Sequence, residues 1–458
     1  MTAVISNEIK VDDPTDEFKK WCKKNLEINN PDYDKKKRMG KWLGDTPRKL
    51  VLYRVVDNTY YLPYGTLTDI ADFFTEIMSD FPTKHDIDYS ADVPLYDYQE
   101  IAVKEMLRVG YGVLESKAGS GKTQMGIAMI SQIKGRALWL THTKDLLTQS
   151  KDRAAKYMDS SLFGEITAGK VNVGKGITFA TVQTLVKVDP TYYRDLFDVV
   201  IVDECHRVAG SPTKITQFGK VLNNLNCKHK FGLSATVHRA DGLIKTMFAY
   251  LGRVTYTVPD EDVADRVMPV NVITRKTGTT LSLECLDTDG TILYQNLISY
   301  LTKSVRRNMF IANDLALHSH DYNLILSDRL THLEELMSYL PSDMCVMIDG
   351  SMTSKKAKAE REQAIQDMRD GEKHYLFATY KLAKEGLDIP RLNCLYLTTP
   401  QKDYAVVTQS VGRVARVFEG KSMAICYDYV DDIEYLIRAY KKRCSHYRKG
   451  NCVLLGEG

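Results

Sequence analysis

Short, continuous apolar runs alternate with stretches of helical periodicity along most of this chain, and this alternation restricts its fold. Residues 177–180 (ITFA) and 199–202 (VVIV) are two such runs. Runs of this kind predict central strands of a parallel sheet that is covered by helices on both faces. The alternation starts at about residue 91 and starts again at 323–326, after a polar stretch over about 258–300. The pattern therefore predicts two α/β domains in tandem.

The residues before this alternation predict a different, smaller domain. Residues 49–56 are strand-like, Asp57 and Asn58 form a turn signal, and residues 59–62 would return as the second strand of a hairpin. Residues 67–80 space their apolar side chains at helical intervals. We therefore predict four regions: a small α+β accessory domain over 1–90, α/β domains over 91–258 and 259–440, and a C-terminal tail over 441–458.

Composition excludes several classes of protein. Of 458 residues, 44% are hydrophobic and 26% are charged, which is typical of globular chains and not of collagen-like or disordered ones. No apolar run approaches the roughly 18 residues that a membrane span requires, and the acidic N-terminus lacks the apolar core of a secretory signal. We therefore expect a cytoplasmic protein without a membrane partner.

Nine dispersed cysteines, none of them in a CxxC pair, indicate a reducing compartment rather than a disulfide framework. Cys444, His446 and Cys452 lie close together in the sequence and could bind zinc, but a fourth ligand would have to come from elsewhere in the chain. Surface or packing cysteines are the simpler interpretation.

A basic stretch over residues 19–54 contrasts with the small net charge of +3. It contains twelve Lys or Arg against four Asp or Glu, and these charges are interleaved with aromatic residues: Trp21, Tyr33, Trp42 and Tyr53. Such a stretch could neutralise phosphates and stack on bases. A solvated face around a small core gives the same pattern, and the sequence leaves both interpretations open.

A glycine-rich segment follows the strand-like run 110–114 and opens a predicted helix. Residues 119–123 (GSGKT) have the composition of a phosphate-binding loop, in which backbone N–H groups converge on an anion at a helix N-terminus. Lys122 would reach the β- and γ-phosphates, and Thr123 would bind Mg²⁺. The strict pattern has glycine at the position of Ser116. The strand–turn–helix setting favours a phosphate loop over a flexible helix cap.

Two carboxylates end the apolar run 199–202. Asp203 would hold Mg²⁺ at the ligand edge of the sheet, and Glu204 would orient and deprotonate an attacking water. Acidic pairs often do no more than end a strand. Downstream of a phosphate loop and after a fully apolar strand, the catalytic interpretation is favoured.

A second cluster of polar residues lies in the second α/β domain. Gln409, Arg413 and Arg416 stand at i, i+4 and i+7, so a helix would place them on one face. Two guanidinium groups on one face, with no acid between them, would need an anion opposite. A solvated surface is the alternative for this segment taken alone.

Taken together, these segments resemble the superfamily-2 helicases, which are P-loop motors with two RecA-like domains. Eight segments stand in the family's order: 95–99 as the Q motif, 116–123 as motif I, 140–147 as Ia, 180–183 as Ib, 203–206 (DECH) as II, 234–236 as III, 379–390 as V and 409–416 as VI. His142 stands where proline is usual. Residues 234–243 are similar to XPB-like and phage UvsW-like DNA helicases, and the N-terminal KKKRMGKW segment resembles phage members.

The resemblance implies that ATP and Mg²⁺ bind between the two domains. From the first domain, Gln99 would read the adenine, Glu204 would act on the attacking water, and the phosphates and Mg²⁺ would be held by Ser116, Gly119, Ser120, Gly121, Lys122, Thr123 and Asp203. The second domain would supply Gly386 and Asp388 near the ribose and phosphates, Gln409 near the attacking water, and the arginine fingers Arg413 and Arg416. Ser234 and Thr236 would couple the nucleotide site to the nucleic acid.

The resemblance also implies that nucleic acid lies across the opposite edge of both domains. The matching residues offer hydroxyl, amide and ammonium groups, which suit phosphate oxygens and carry no sequence code. They are Thr143, Lys144, Thr181, Gln183, Thr379 and Lys381.

The function expected from this resemblance is that of an ATP-dependent DNA helicase or translocase. It would act as a monomer on forked, branched or single-stranded DNA, in the host cytoplasm if it is phage-encoded. An RNA helicase or RNP remodeller, a duplex translocase that never separates strands, and a nucleotide-gated binding module remain alternatives. DECH with THTKDLL, rather than DEAD with PTREL, makes RNA the less favoured substrate.

Overall fold

The computed structural model of the protein describes most of the chain. The described residues are 1–117, 119–209, 216–235, 237, 242–350, 352, 354–384, 387–401, 403–450 and 452–456. The chain forms two compact units, residues 1–117 with 121–262, and residues 118–120 with 263–458. No helix among the described residues is both long enough and apolar enough to cross a membrane.

The N-terminal part of the first unit is built around a small mixed sheet. Its elements are β1 (Thr2–Ile5), β2 (Glu8–Val11), α1 (Asp16–Leu26), β3 (Glu27–Asn29), α2 (Pro31–Arg38), β4 (Lys49–Val51), β5 (Arg54–Val56), β6 (Thr59–Pro63), α3 (Leu67–Ile70) and β7 (Glu76–Ser79). The sheet has the strand order β5-β6-β2-β1-β7, and β3 and β4 form a separate ribbon. Apolar side chains of the sheet and of α1 make its core, including Ile9, Phe18 and Leu62.

The hairpin predicted in this region is present, but two other predictions are corrected. β5 and β6 pair around Asp57 and Asn58, whose positive φ angles of 47° and 63° suit a tight hairpin turn. The strand predicted over 49–56 is divided, because residues 49–51 pair with β3 instead. The helix predicted over 67–80 is wrong in its second half, since β7 pairs in parallel with β1. Helical spacing cannot report a partner strand that lies seventy residues away.

The α/β part of the first unit carries the predicted parallel sheet. Its elements are α4 (Asp97–Val109), β8 (Tyr111–Glu115), α5 (Lys122–Ile133), β9 (Ala137–Thr141), α6 (Lys144–Ala154), β10 (Phe163–Thr167), β11 (Lys170–Asn172), β12 (Ile177–Thr181), α7 (Val182–Leu185), α8 (Pro190–Tyr193), β13 (Val199–Asp203), α9 (Gln217–Asn224), β14 (His229–Ser234), α10 (Ile244–Leu251) and β15 (Val254–Thr257). The strand order is β11-β10-β12-β9-β13-β14-β8-β15. Only the edge strand β11 pairs antiparallel among these described strands.

The small N-terminal sheet is fixed to the α/β part by polar contacts. The amide of Asn7 donates to the carbonyl oxygen of Asn223 at 2.5 Å, and the ammonium of Lys230 donates to the carbonyl oxygens of Asn7 at 3.3 Å and of Leu222 at 3.0 Å. Lys230 is fully buried, and burial lowers its pKa to about 8. The two parts therefore belong to one packed body.

Among the described residues of the second unit, seven strands pair in parallel to form one sheet. Its elements are β16 (Val270–Thr280), α11 (Tyr294–Lys303), α12 (Val305–Leu317), β17 (Asn323–Ser327), α13 (Leu330–Ser338), β18 (Cys345–Ile348), α14 (Lys355–Asp370), β19 (Tyr375–Thr379), α15 (Tyr380–Lys384), β20 (Cys394–Leu397), α16 (Tyr404–Val414), β21 (Ala424–Asp432), α17 (Glu434–Lys449) and β22 (Cys452–Leu455). The strand order is β18-β19-β17-β20-β21-β16-β22. Two tandem α/β domains are thus confirmed.

The C-terminal region 441–458 is not the tail that the sequence predicted. It contains the second half of α17 and the strand β22, which pairs in parallel with β16. Arg443 is buried and makes two hydrogen bonds to the carboxylate of Asp428, at 2.8 and 2.7 Å, and the Tyr447 hydroxyl donates to the same carboxylate at 2.8 Å. A charged residue buried as an ion pair gives no apolar signal, so the sequence pattern concealed this part of the core.

Candidate nucleotide site and nucleic-acid surface

The phosphate loop is a tight turn between β8 and α5. Gly119 and Gly121 have φ angles of 89° and 81°, a conformation that glycine adopts without steric cost. A Cβ atom at Gly121 would lie 2.3 Å from Nε2 of Gln99. The turn therefore closes directly onto the N-terminus of α5, where backbone N–H groups and the helix dipole favour an anion.

The Lys122 side chain folds back over this loop. Its ammonium donates to the carbonyl oxygens of Ser116 at 3.0 Å and of Lys117 at 3.1 Å. Thr123 is the next residue of α5, and Ser116 and Ser120 are buried within the loop. The loop thus holds a cation and two hydroxyl side chains at the end of β8.

Gln99 brings the predicted Q motif against the same loop. It lies buried on α4, its carbonyl oxygen accepts from the backbone N–H of Tyr96 at 3.0 Å, and its amide nitrogen faces Gly121. The rings of Tyr96 and Tyr98 stack with their centroids 6.0 Å apart, and Tyr96 remains 46% exposed. A partly exposed aromatic pair beside the loop is chemically suited to a planar base.

Asp203 ends the fully buried strand β13. Its carboxylate accepts a hydrogen bond from the backbone N–H of Glu204 at 3.0 Å. Burial, and next the charge of Glu204, raise the pKa of Asp203 to about 7, while Lys122 opposes that rise. A divalent cation beside this carboxylate would favour its charged form, so the residue fits a Mg²⁺ ligand.

Glu204 is held in an unusual backbone conformation. Its φ of 50° is in the left-handed region, which is costly for a residue other than glycine and is concentrated at functional sites. Its carboxylate lies 3.2 Å from Nδ1 of His206, and the same nitrogen lies 3.3 Å from the hydroxyl of Ser234. His206 therefore joins the ends of β13 and β14. No role was predicted for His206 from the sequence, although it is the last residue of the DECH segment.

The predicted nucleic-acid residues of the first unit stand at the same carboxyl edge of the sheet as this site, and not at the opposite edge that was expected. Because β12, β9, β13, β14 and β8 run in parallel, their carboxyl ends meet at one edge. Thr143 caps α6 and accepts from the backbone N–H of Leu146 at 3.3 Å, and Lys144 is exposed. Gln183 is exposed and donates to the carbonyl oxygen of His142 at 2.6 Å. Thr181, at the end of β12, completes this group.

In the second unit, Thr379 ends β19 and Lys381 is exposed on α15. Both stand at the carboxyl edge of their own sheet, which is again not the opposite edge. The predicted residues Thr236 and Gly386 lie outside the described residues.

The segment 409–416 differs from the prediction of one helical face. α16 ends at Val414, so Arg416 lies beyond the helix, and its guanidinium pairs with the carboxylate of Asp388. Arg413 donates to the carbonyl oxygens of Ala383 at 3.1 Å and Leu387 at 2.8 Å. The acid that seemed to be missing therefore comes from residues 379–390, a segment that is distant in sequence.

The Lys421 side chain lies at the C-terminal end of α16. Its ammonium donates to the carbonyl oxygens of Leu392, Val414 and Arg416 at 2.6, 2.6 and 2.8 Å. It thus binds carbonyl groups that the end of α16 leaves without helical partners. In the same helix, the carbonyl oxygen of the Gln409 side chain is buried without a hydrogen-bond partner among the described residues.

Comparison with known proteins decides the family. Residues 92–239 match the family described as "Type III restriction enzyme, res subunit", and residues 308–418 match "Helicase conserved C-terminal domain". The chain belongs to the superfamily-2 helicases. The first match contains the phosphate loop and both carboxylates of this helicase, and the second contains Arg413 and Arg416.

Relatives of this helicase occur in viruses and in archaea. It is 27% identical over 355 residues to L396 of Acanthamoeba polyphaga mimivirus, provisionally named an ATP-dependent RNA helicase; the match covers 76% of this chain and 65% of L396. It is 25% identical to the DNA 3'-5' translocase XPB2 of Sulfurisphaera tokodaii, over 72% of this chain and 79% of that protein. It is 24% identical to the ATP-dependent DNA helicase uvsW of Enterobacteria phage T4, over 73% and 68%. The predicted resemblance is confirmed.

A solved structure agrees with the fold of this helicase. S. cerevisiae Dbp5 bound to RNA and ADP BeF3 superposes with a TM-score of 0.55 at 15% sequence identity, covering 86% of this chain and 94% of Dbp5. At that identity the likeness concerns the fold alone.

The C-terminal cysteines of the helicase do not form the zinc site that the sequence left open. Cys444 and His446 lie on α17 and Cys452 lies on β22. Among the described residues, their ligand atoms do not gather within 4.8 Å of one another, whereas those of one other group do.

Proposed function

We propose that this helicase couples ATP hydrolysis to movement on, or remodelling of, forked or branched DNA. One observation supports the proposal: neighbouring strand ends at a single sheet edge of the first unit carry the phosphate loop, the buried Asp203, the partly exposed Glu204, and a set of Thr, Lys and Gln residues of which Lys144 and Gln183 are exposed. Adjacent sites for a nucleotide and for a phosphate backbone are what a nucleic-acid motor requires.

Each residue of the loop has a role that its geometry supports. The backbone of Ser116, Gly119, Ser120 and Gly121 would bind phosphate oxygens, and the Lys122 ammonium would exchange carbonyl oxygens for them. Gln99 would read the adenine. Thr123 and Asp203 would hold Mg²⁺. ATP, bound together with this Mg²⁺, contains the phosphoanhydride bond that is hydrolysed.

Glu204 would act as the general base. Its strained backbone and its contact with His206 fix the direction of its carboxylate, which would accept a proton from the attacking water. His206 also contacts Ser234, so a displacement of Glu204 would be transmitted through His206 to the end of β14. We infer that His206, with Ser234 and Thr236, couples hydrolysis to the nucleic-acid surface.

The arginine-rich segment of the second unit would complete the reaction. Arg413 and Arg416 would stabilise charge that develops on the γ-phosphate, with Gln409 near the water and Gly386 and Asp388 near the ribose and phosphates. Arg416 is paired with the carboxylate of Asp388. When ATP binds, the Arg416 guanidinium would leave this carboxylate and bind a phosphate group instead. A response of this kind biases a conformational equilibrium only through such differential contacts.

Nucleic acid would be bound through its backbone. Thr143, Lys144, Thr181, Gln183, Thr379 and Lys381 offer contacts without a sequence code. Two relatives are named for DNA, XPB2 and uvsW, and this supports DNA as the substrate. The basic helix α2 buries none of its side chains, and Trp42 beyond it is 88% exposed. We propose that the basic stretch over residues 19–54 binds duplex DNA.

RNA is the second candidate substrate, because the relative L396 is named for RNA. The test is ATP turnover by the full chain with single-stranded, duplex, forked and four-way DNA and with RNA of the same sequences. Stronger stimulation by forked or four-way DNA than by RNA supports the proposal, and stronger stimulation by RNA supports the alternative. Triplex displacement without strand displacement would identify a duplex translocase, and absence of stimulation by every substrate would refute the motor.

A further inference from the structure

Three potential metal ligands meet at the amino edge of the second sheet, whereas the predicted site residues of that unit follow its strands at the carboxyl edge. His318 follows α12, Asp321 lies just before β17, and Cys394 is the first residue of β20. Their ligand atoms all lie within 4.8 Å of one another. Nδ1 of His318 is 2.6 Å from the Asp321 carboxylate and 3.6 Å from Sγ of Cys394.

The atoms of this group that face away from its centre are held by other side chains. Nε2 of His318 lies 2.8 Å from the Tyr427 hydroxyl. The second carboxylate oxygen of Asp321 accepts from the side-chain amide nitrogen of Asn393 at 2.6 Å. The side-chain oxygen of Asn393 in turn accepts from the backbone N–H of Tyr322 at 2.8 Å. Metal-binding histidines and carboxylates are oriented by outer partners of this kind.

Burial and donor type point to the class of ion. Cys394 is fully buried, while the side chains of His318 and Asp321 are 14% and 23% exposed, so water can reach the group from one side. One sulfur, one nitrogen and one oxygen donor suit zinc and do not suit Mg²⁺ or Ca²⁺. We propose that His318, Asp321 and Cys394 bind Zn²⁺, with water as the fourth ligand of a tetrahedral site.

Binding requires two proton movements, and both are accommodated. The Cys394 thiol loses its proton to solvent as the Zn–S bond forms. The neutral His318 ring moves its proton from Nδ1 to Nε2, where the Tyr427 oxygen accepts the hydrogen bond. Asp321 binds as the carboxylate, giving up its contact with the Nδ1 proton. Burial and Asp321 raise the pKa of the free Cys394 thiol, and Lys421 and the bound cation oppose that effect.

Zinc bound at this site would stabilise the amino edge of the sheet. It would join the end of α12 to the starts of β17 and β20, which are neighbouring strands. Removing the ion should therefore lower the unfolding temperature of the second unit. The ATP site lies in other elements, so a Lys122→Ala chain should bind zinc as the unchanged chain does.

The experiment uses the full chain after treatment with a chelator, titrated with Zn²⁺ and, in parallel, with Co²⁺. We expect about one equivalent of either ion, release of about one proton per zinc, and a thiolate-to-cobalt charge-transfer band in the near ultraviolet. Cys394→Ser should remove the band and His318→Gln should weaken ion binding by about 10-fold or more. Cys345→Ser, a buried cysteine at the amino end of β18, is the matched control and should retain both.

Two results would overturn the proposal. An unchanged chain that binds neither ion would show that the group is a hydrogen-bonded network, whatever the folding of the variants. A charge-transfer band that persists in Cys394→Ser but disappears in Cys452→Ser would move the site to the C-terminal cysteines. His318→Gln, which keeps an amide able to bond Tyr427, provides a second reading should Cys394→Ser fail to fold.

Discussion

Asp203 illustrates at the scale of single residues how the nucleotide site depends on burial. Its carboxylate ends a strand that is buried throughout, and both burial and Glu204 disfavour its charged form. Between the ordinary pKa of 3.8 and the raised pKa of about 7, the folded chain therefore retains on Asp203 a proton that the unfolded chain has already lost. This cost is tolerable because Mg²⁺ would favour the carboxylate when the nucleotide binds.

Replacing Asp203 with asparagine should stabilise the nucleotide-free protein at alkaline pH. The pKa of Asp203 rises from its ordinary 3.8 to about 7 on folding, so stability falls as pH rises through that window and the loss is complete above it. We expect Asp203→Asn to unfold a few degrees higher than the unchanged chain at pH 8 and at nearly the same temperature near pH 4, while ATP turnover is lost. Asp152→Asn, an exposed site on α6, is the control for calorimetry at both pH values. A destabilised Asp203→Asn at pH 8 would contradict this account.

The residues of the nucleotide loop could be predicted because local sequence positions them. The described loop residues, 116–117 and 119–121, lie between β8 and α5, Lys122 and Thr123 begin α5, and Asp203 and Glu204 stand at the end of β13. Arg416 and His206 depended on partners that are remote in sequence, Asp388 and Ser234. Periodicity assigned Arg416 to a helical face, whereas the helix ends two residues earlier, at Val414, whose carbonyl oxygen accepts from the Lys421 ammonium.

At the scale of elements, the turn between β8 and α5 needs a glycine at position 121 for two reasons. Its φ is 81°, and a Cβ atom would strike the Gln99 amide at 2.3 Å. Gly169, between β10 and β11, has a similar φ of 79° but has no atom within 4 Å of such a Cβ. Alanine at Gly169 would therefore introduce backbone strain alone, whereas alanine at Gly121 would introduce the same strain and also displace Gln99.

Gly121→Ala should weaken ATP binding, and Gly169→Ala should not. Both variants should lose about 1–2 kcal/mol of unfolding free energy, since each places a side chain in the left-handed region. In Gly121→Ala the methyl group also pushes the Gln99 amide out of place, and we expect ATP affinity to fall by about 10-fold or more. Nucleotide titration by calorimetry gives both constants; equal affinities in the two variants would mean that Gln99 does not read the adenine.

Elements with strictly local signals were predicted and elements that need a distant partner were not. The apolar strands β12, β13 and β17 are present where their composition placed them. β7 and β22 were missed, because each is a strand only through its pairing with β1 or β16. Sequence periodicity describes which face of an element is buried and does not identify the neighbour that covers it.

At the scale of the whole molecule, the N-terminal sheet and the first α/β sheet form one body through Asn7 and Lys230. A DNA-binding surface on α2 would therefore move with β8 and α5 of the same unit. Residues 1–90 were predicted to be separate from the motor because the pattern of strands and helices changes at about residue 91, and that pattern carries no information about buried polar contacts between two parts of a chain.

Neutralising α2 should weaken duplex binding in a salt-dependent way. Lys35 and Lys37 are exposed on this helix. Lys35→Gln with Lys37→Gln should reduce the slope of log affinity against log salt by about 2, because each lost phosphate contact removes about one released counterion. Lys356→Gln with Lys358→Gln, two exposed lysines on α14, is the charge-matched control and should leave the slope unchanged. Equal slopes in both pairs would mean that α2 does not contact DNA.

Lys122 should be essential for an ATPase activity that depends on nucleic acid. Steady-state ATP turnover is compared, with and without forked DNA, for the unchanged chain, for Lys122→Ala and for Lys104→Ala, an exposed lysine on α4. We expect forked DNA to stimulate the unchanged chain and Lys104→Ala alike, and stimulated turnover to fall by about 100-fold or more in Lys122→Ala, because a charge that stabilises the transferred phosphate is lost. Stimulated turnover that survives in Lys122→Ala at the level of the control would contradict the account.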